Sequence, residues 1–290
     1  MSSIKPIYEF LLWDNCNNNC KFCYQKQNYH KLVDDQKRIS ISKVVEFLDS
    51  DKFIKGSHVL IVGGEVFDSP TIFLDINNLV QKLIDKMIAN EIDLLYINTN
   101  LIYKKLDAIE YLLKQVKNNN LFDRLKFTTS YDLSGRFTQK TECLMLNNLT
   151  HIMDTYPECK IIVNMMLSDT LCTRIIDRTF SVKLYCDKYK VGVNLIPYII
   201  LDSQLAASRN KIFKALVRID QEIPGYLKSY ISNLDLPQDK LLYFFNAKTN
   251  SFEFCSSNLL PCGHSENFKR YSSHNTCFIC DLKKLFNDYA

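Results

Sequence analysis

Val59-Leu60-Ile61-Val62-Gly63-Gly64-Glu65, followed after a polar stretch by Ile76, Leu79, Val80, Leu83, Ile84 and Met87, sets the architecture. The four apolar residues are strand-sized and stop at a glycine. The six that follow recur at three- and four-residue steps, the spacing of one helix face. The same strand-then-helix unit recurs in both directions along the chain. Upstream, Ile7–Trp13 reads as a buried strand, and Ile41, Val44, Val45 and Leu48 as a helix face capped by Ser40. Downstream come strand Leu94–Ile97, helix Leu106–Val116, strand Leu125–Ser130, helix Glu142–Met153 and strand Lys160–Met165. A weaker helical stretch, Leu171–Tyr185, leads to strand Val191–Ile196, which Pro197 ends. Six such alternations mean a mainly parallel sheet with helices packed outside, either an open doubly wound sheet or a full or partial barrel. In both architectures the working residues sit at the carboxyl ends of the strands.

After Ile200 the pattern changes. Ser203–Asp220 and Tyr226–Leu234 read as helices separated by Pro224-Gly225, and Leu241–Phe245 with Ser251–Cys255 as a hairpin. The expected organisation is a core of residues 1–200 and a small cysteine-rich extension of residues 201–290.

Composition narrows the function classes. Hydrophobic residues make up 47% and charged residues 23%, an ordinary globular balance that excludes disorder for most of the 290 residues. The longest apolar runs, such as Val191–Ile200, are strand-sized, so no membrane association is expected. Met1–Lys5 lacks the start of a secretory signal, and a cytoplasmic location is expected. Lys and Arg exceed Asp and Glu by 36 − 32 = 4, too small and scattered a surplus to define a nucleic-acid surface. Cysteine stands out, at 11. An odd count without an export signal argues for metal ligands or reactive thiols over a disulfide framework. Glycine is scarce, at 7, yet Gly63 and Gly64 are adjacent, as where a backbone must come close to something.

Cys16, Cys20 and Cys23 form Cys-x3-Cys-x2-Cys just after the first strand. Three thiolates so close converge on one metal centre if the loop wraps it, and leave a tetrahedral iron or zinc one site short, as catalytic metals require. A zinc knuckle with a distant fourth ligand is the alternative. Gly63-Gly64-Glu65 ends the second strand, so neighbouring strands would set the two loops side by side. Glycines would let backbone groups meet a small polar ligand, and Glu65 would accept a bond from its amine.

Cys16-Asn-Asn-Asn-Cys20-Lys-Phe-Cys23-Tyr24, with Gly63-Gly64-Glu65 about 40 residues on, resembles the radical S-adenosylmethionine (radical SAM) superfamily over about residues 7–200. The resemblance implies a (β/α)6 partial TIM-like barrel with a 4Fe-4S cluster on Cys16, Cys20 and Cys23. It implies S-adenosylmethionine chelating the fourth iron, and one-electron cleavage of its sulfonium C–S bond to methionine and a 5′-deoxyadenosyl radical that abstracts hydrogen from substrate. Gly63, Gly64 and Glu65 match the loop that holds the methionine amine, and Tyr24 the aromatic position near the adenine. Ser130-Tyr131-Asp132 with Arg136 is similar to a Ser-x-Asp…Arg pattern whose Ser and Arg approach the carboxylate or ribose; here Leu133 replaces the glycine usual after that Asp. Asn164 matches a polar position near the ribose. A flavodoxin- or ferredoxin-like electron donor is implied as partner.

Cys255-x6-Cys262-x14-Cys277-x2-Cys280 is a second set, with His264 and His274 between. Cys-x2-Cys is a strong metal pair, and four thiolates suit a second 4Fe-4S cluster or zinc. Hairpin, cysteine, gap and Cys-x2-Cys are similar to the auxiliary-cluster extensions called SPASM and Twitch domains, though a full SPASM domain has further cysteines downstream. Relatives with such extensions often modify peptides, so a peptide or protein side chain is the first expected substrate, and a nucleobase, nucleotide or other small metabolite the second. A non-catalytic zinc-binding module is the reading from a different class. Cys143, Cys159, Cys172 and Cys186 read as buried small hydrophobes, His30, His58 and His151 as solitary residues, and Trp13 as core.

Overall fold

The structure is a computed structural model that describes residues 6–20, 31–133, 135–197, 207–233, 239–246 and 251–258. Strands β1 (Ile7–Leu11), β2 (Ser57–Val62), β3 (Ile92–Asn98) and β4 (Leu125–Tyr131) alternate with helices α1 (Asp34–Leu48), α2 (Phe73–Ile88), α3 (Asp107–Asn118) and α4 (Gln139–Thr155). The chain continues through β5 (Ile161–Leu167), α5 (Asp169–Ile176), α6 (Val182–Tyr189) and β6 (Gly192–Pro197). Helices α7 (Arg209–Glu222) and α8 (Tyr226–Asn233) precede β7 (Asp239–Asn246) and β8 (Ser251–Asn258). The fold is α/β, with six parallel strands in an open sheet that does not close, as in a partial TIM-like barrel.

The chain forms two compact units. In the first, strands run in the order β4-β3-β2-β1-β7-β8. β1 pairs in parallel with both β2 and β7, so the hairpin expected in the extension adds to the β1 edge. Leu11 lies opposite Val62 and Ile61 opposite Ile97, which aligns the carboxyl ends of β1, β2 and β3. The Leu12 N–H donates to the Val62 carbonyl (3.2 Å), carrying the pairing one step past β1. The loops leaving these ends are therefore neighbours.

Helical periodicity explains how the outer layer is held. All six apolar residues expected on one face of α2 are buried, each worth about 1.5–3 kcal/mol relative to exposure. Tyr8 and Phe10 of β1 pack against Phe47 of α1 at ring-centroid distances of 5.5 and 5.8 Å, and Trp13 is fully buried as expected. Ser40 is not a cap. Helix α1 starts six residues earlier, at Asp34, and the buried Ser40 hydroxyl donates to the Leu12 carbonyl (3.2 Å), fastening the helix to the end of β1.

The second unit holds β6 beside β5, with helices α5 to α8. The single helix expected over Leu171–Tyr185 is two helices. Arg178 adopts a left-handed φ of 59°, and the Ser181 hydroxyl accepts the Leu184 N–H to start α6 afresh. Two of the four cysteines read as buried depart from that reading, since Cys143 is exposed and Cys186 half-buried; Cys159 and Cys172 are buried. His58 and His151 pair with Asp93 (3.3 Å) and Glu110 (2.7 Å), while His30 lies outside the described residues. Among the described residues no helix is long and apolar enough to cross a membrane.

Candidate active site

The cysteine loop leaves β1 and the Gly63-Gly64-Glu65 loop leaves β2, and their backbones are hydrogen-bonded together. The Gly64 N–H donates to the Trp13 carbonyl and the Glu65 N–H to the Asn15 carbonyl, both at 2.7 Å. A Cβ on Gly64 would lie 2.1 Å from the Asn15 oxygen and 2.6 Å from that of Asp14; one on Gly63 would lie 2.7 Å from the Trp13 oxygen. The glycine pair is thus required by the backbone of the cysteine loop itself. Trp13 adds a third tie, its indole N–H donating to the Glu65 carbonyl (3.4 Å).

Glu65 is 2% exposed, and its carboxylate is surrounded by donors. It accepts from the Phe67 N–H (3.2 Å), the Asn100 N–H (2.6 Å), the Thr99 hydroxyl (3.1 Å to each oxygen) and the Tyr103 hydroxyl (2.5 Å). Thr99 and Tyr103 also bond each other. Burial pushes the Glu65 carboxyl up to about 7, against the pull of these donors. Burial also raises the Tyr103 phenol, and the neighbouring Glu65 charge adds to this.

Because the Glu65 pKa is raised on folding, the native state binds the extra proton between about pH 4.5 and pH 7. Stability from this group is therefore present below pH 4.5 and lost as pH rises through 7, by about 3 kcal/mol. Glu65→Gln is expected to flatten that segment of the stability profile. Urea melts of the metal-free protein at pH 5 and pH 7.5 check it, and an unchanged slope would refute the assignment.

The cysteine sulfurs also receive donors. Cys16 Sγ accepts from the Asn18 N–H (3.4 Å) and the Asn100 side-chain amide (3.5 Å), and Cys20 Sγ from the Asn18 side-chain amide (3.4 Å). N–H groups aimed at sulfur favour thiolates, the form that ligates iron or zinc, so the two described cysteines fit a thiolate-held centre. Cys23 and Tyr24 lie outside the described residues, and among the described ones no set of three metal-ligating side chains is assembled. A cavity of ≈ 230 Å³ opens between the loops, lined by Cys16, Asn17, Lys37, Glu65 and Asp68 among others. A larger open groove, ≈ 520 Å³, lies along α1 beside Asp75 and Asn78 and touches none of these cysteines.

The remaining expected residues fall as follows. Ser130 is half-buried in β4 of the first unit, whereas Arg136 and Asn164 belong to the second. Asn164 accepts from the Asn194 side-chain amide (3.0 Å). Cys255 lies in β8; Cys262, Cys277 and Cys280 lie outside the described residues. The sequence reading does not single out Thr99, Asn100, Tyr103 or Lys37. Thr99-Asn100 directly follows β3, and the rule that working residues sit at carboxyl ends of strands was the signal available for it. Lys37 carries no motif. Its ammonium lies 5.6 Å from the Trp13 ring centroid and 3.4 Å from Asp34.

Fold and site together define an α/β protein whose open parallel sheet presents a cysteine loop and a glycine-glutamate loop side by side at its carboxyl edge. Residues 10–127 match the family model described as Radical SAM superfamily. That segment runs from β1 into β4 and carries both loops. No curated protein matches the sequence. Solved structures with similar folds include hexahistidine-tagged anSMEcpe with bound AdoMet, 12% identical with a TM-score of 0.51, covering 78% of this chain and 60% of that one. Native anSMEcpe with bound AdoMet is 14% identical at a TM-score of 0.48, covering 79% and 65%. The same protein with bound AdoMet and Cp18Cys peptide is 12% identical at 0.48, covering 78% and 62%. This chain thus spans under two thirds of those chains, and the likeness is one of fold.

Proposed function

We propose that this protein is a radical SAM enzyme that cleaves S-adenosylmethionine reductively at a centre held by Cys16, Cys20 and Cys23. The observation that carries the reading is the interlocking of the Cys16–Cys20 loop with Gly63-Gly64-Glu65, with N–H donors aimed at both described sulfurs. When bound, the cluster supplies the electron that splits the sulfonium C–S bond, and the resulting radical takes hydrogen from substrate. Glu65, its carboxylate engaged by protein donors, holds the loop in shape, and the loop's main chain accepts from the cosubstrate amine. Buried Trp13, Val66 and Phe67 keep water from this edge of the sheet.

By the family pattern, Tyr24 takes the adenine position, Ser130 and Arg136 the positions that approach the carboxylate or ribose, and Asn164 the one near the ribose. Cys255, Cys262, Cys277 and Cys280 hold a second 4Fe-4S cluster or zinc in a SPASM- or Twitch-like arrangement. That extension supports a peptide or protein side chain as substrate. The electron donor is a flavodoxin- or ferredoxin-like protein, and the setting is the cytoplasm.

Anaerobic reconstitution with iron and sulfide tests this. A brown protein with about eight irons per chain, releasing 5′-deoxyadenosine when reduced, supports two clusters and the enzyme reading. Four irons with one zinc retained would make the C-terminal site structural and weaken the peptide assignment. A colourless protein binding zinc alone would overturn the enzyme reading. Salt-sensitive binding to RNA or DNA in place of a leader peptide would move the substrate to the nucleotide class.

A further inference from the structure

We propose that Asn100 is a positioning residue for the cysteine-held centre, its amide donating to the Cys16 sulfur, raising the centre's reduction potential and keeping the ligand loop in register with Glu65. This rests on the reading above that Cys16, Cys20 and Cys23 hold a redox cluster.

Asn100 is 7% exposed and immediately follows Thr99 at the carboxyl end of β3. Its Oδ1 accepts the Ile102 N–H (2.8 Å), which orients the amide and turns the NH₂ toward Asn17 Oδ1 (2.7 Å) and Cys16 Sγ (3.5 Å). Asn17 is tied to the same turn, its own amide donating to the Ile102 carbonyl (2.6 Å). The Asn100 backbone N–H donates to Glu65 Oε2 (2.6 Å). One residue thus bonds the cysteine loop through its side chain and the glycine-glutamate loop through its backbone.

The turn is held against its own preference. Leu101 is fully buried with a φ of 56°, a left-handed conformation disfavoured for any residue with a Cβ. Asn148 of α4 keeps it there, its amide donating to the carbonyls of Leu101 and Tyr103, both at 2.9 Å. Strain maintained by surrounding bonds is characteristic of functional turns. The electron reaching the cluster comes from an external one-electron donor and adds negative charge to the cluster and its sulfurs. An N–H donor on one of those sulfurs stabilises the reduced form more than the oxidised form, so the potential rises.

Full-length Asn100→Asp, Asn100→Ala and Asn148→Ala proteins, reconstituted anaerobically, separate this role from scaffolding. The midpoint potential is followed by electron paramagnetic resonance, using the signal that disappears in Cys20→Ala. Asn100→Asp keeps the acceptor for Ile102 but replaces the donor with negative charge. It is expected to lower the reduction equilibrium constant at least about tenfold, about 59 mV for a one-electron couple. Asn100→Ala should lower it less. Asn148→Ala, which loosens the turn without touching sulfur, should lower stability and leave the potential unchanged. Failure of both Asn100 variants to hold iron while Asn148→Ala loads normally would also support the positioning role. Full iron loading at an unchanged potential in both Asn100 variants would overturn it. Wild-type protein that takes up no iron would overturn the cluster reading and this inference with it.

Discussion

Cys20→Ala is expected to remove about four irons per chain and bring S-adenosylmethionine cleavage down to the uncatalysed background, with the fold retained. Cys20 is buried but small, and losing its sulfur should cost only about 1 kcal/mol of packing. Cys16 is exposed, so Cys16→Ala should cost still less stability and abolish cleavage equally. Cys159 and Cys172 provide the contrast. Burial pushes both thiols up to about 12, so at neutral pH they remain protonated and are poor ligands. Alanine at either should leave iron content unchanged. Iron analysis, 5′-deoxyadenosine release and thermal melts on the four variants check the pattern, and cleavage retained without Cys20 would sink the proposed function.

The next largest effect is expected from a single methyl group. Gly64→Ala would set a Cβ 2.1 Å from the Asn15 carbonyl oxygen and 2.5 Å from its carbon. Both are backbone atoms in the loop that carries Cys16, so relief requires separating the two loops. That breaks the Gly64-to-Trp13 and Glu65-to-Asn15 hydrogen bonds. We expect a loss of at least about 3 kcal/mol, from overpacking and from orphaned buried donors, with iron binding reduced in the protein that still folds. Gly56→Ala is the control. Its Cβ would meet nothing within 4 Å, and only its φ of 76° is strained, so about 1 kcal/mol is expected. Equal losses in the two variants, measured by urea denaturation, would show that the close approach is not what makes Gly64 necessary.

The strand-and-helix frame was legible because it depends on local periodicity. The face of α2 could be read residue by residue, since burial of one stripe demands that spacing. The start of α1 was misplaced because Ser40 looks like a cap, whereas its hydroxyl serves the end of β1. The break between α5 and α6 was missed because a left-handed Arg178 has no compositional signal.

The site divides in the same way. The cysteine spacing and Gly63-Gly64-Glu65 are contiguous motifs whose chemistry is written in residue type. Residue order alone therefore carried the alternating α/β frame, the cysteine loop and its likeness to the radical SAM superfamily. What surrounds those motifs came from the folded chain. Folding made the glycine pair a seat for the Trp13–Asn15 backbone, closed the Glu65 carboxylate within Thr99, Asn100 and Tyr103, and brought an amide from the end of β3 to the sulfur of Cys16. Those side-chain contacts join residues 34 to 84 positions apart. They arise from strand register, which aligns the carboxyl ends of β1, β2 and β3, and no local pattern of residues encodes a hydrogen bond across neighbouring strands.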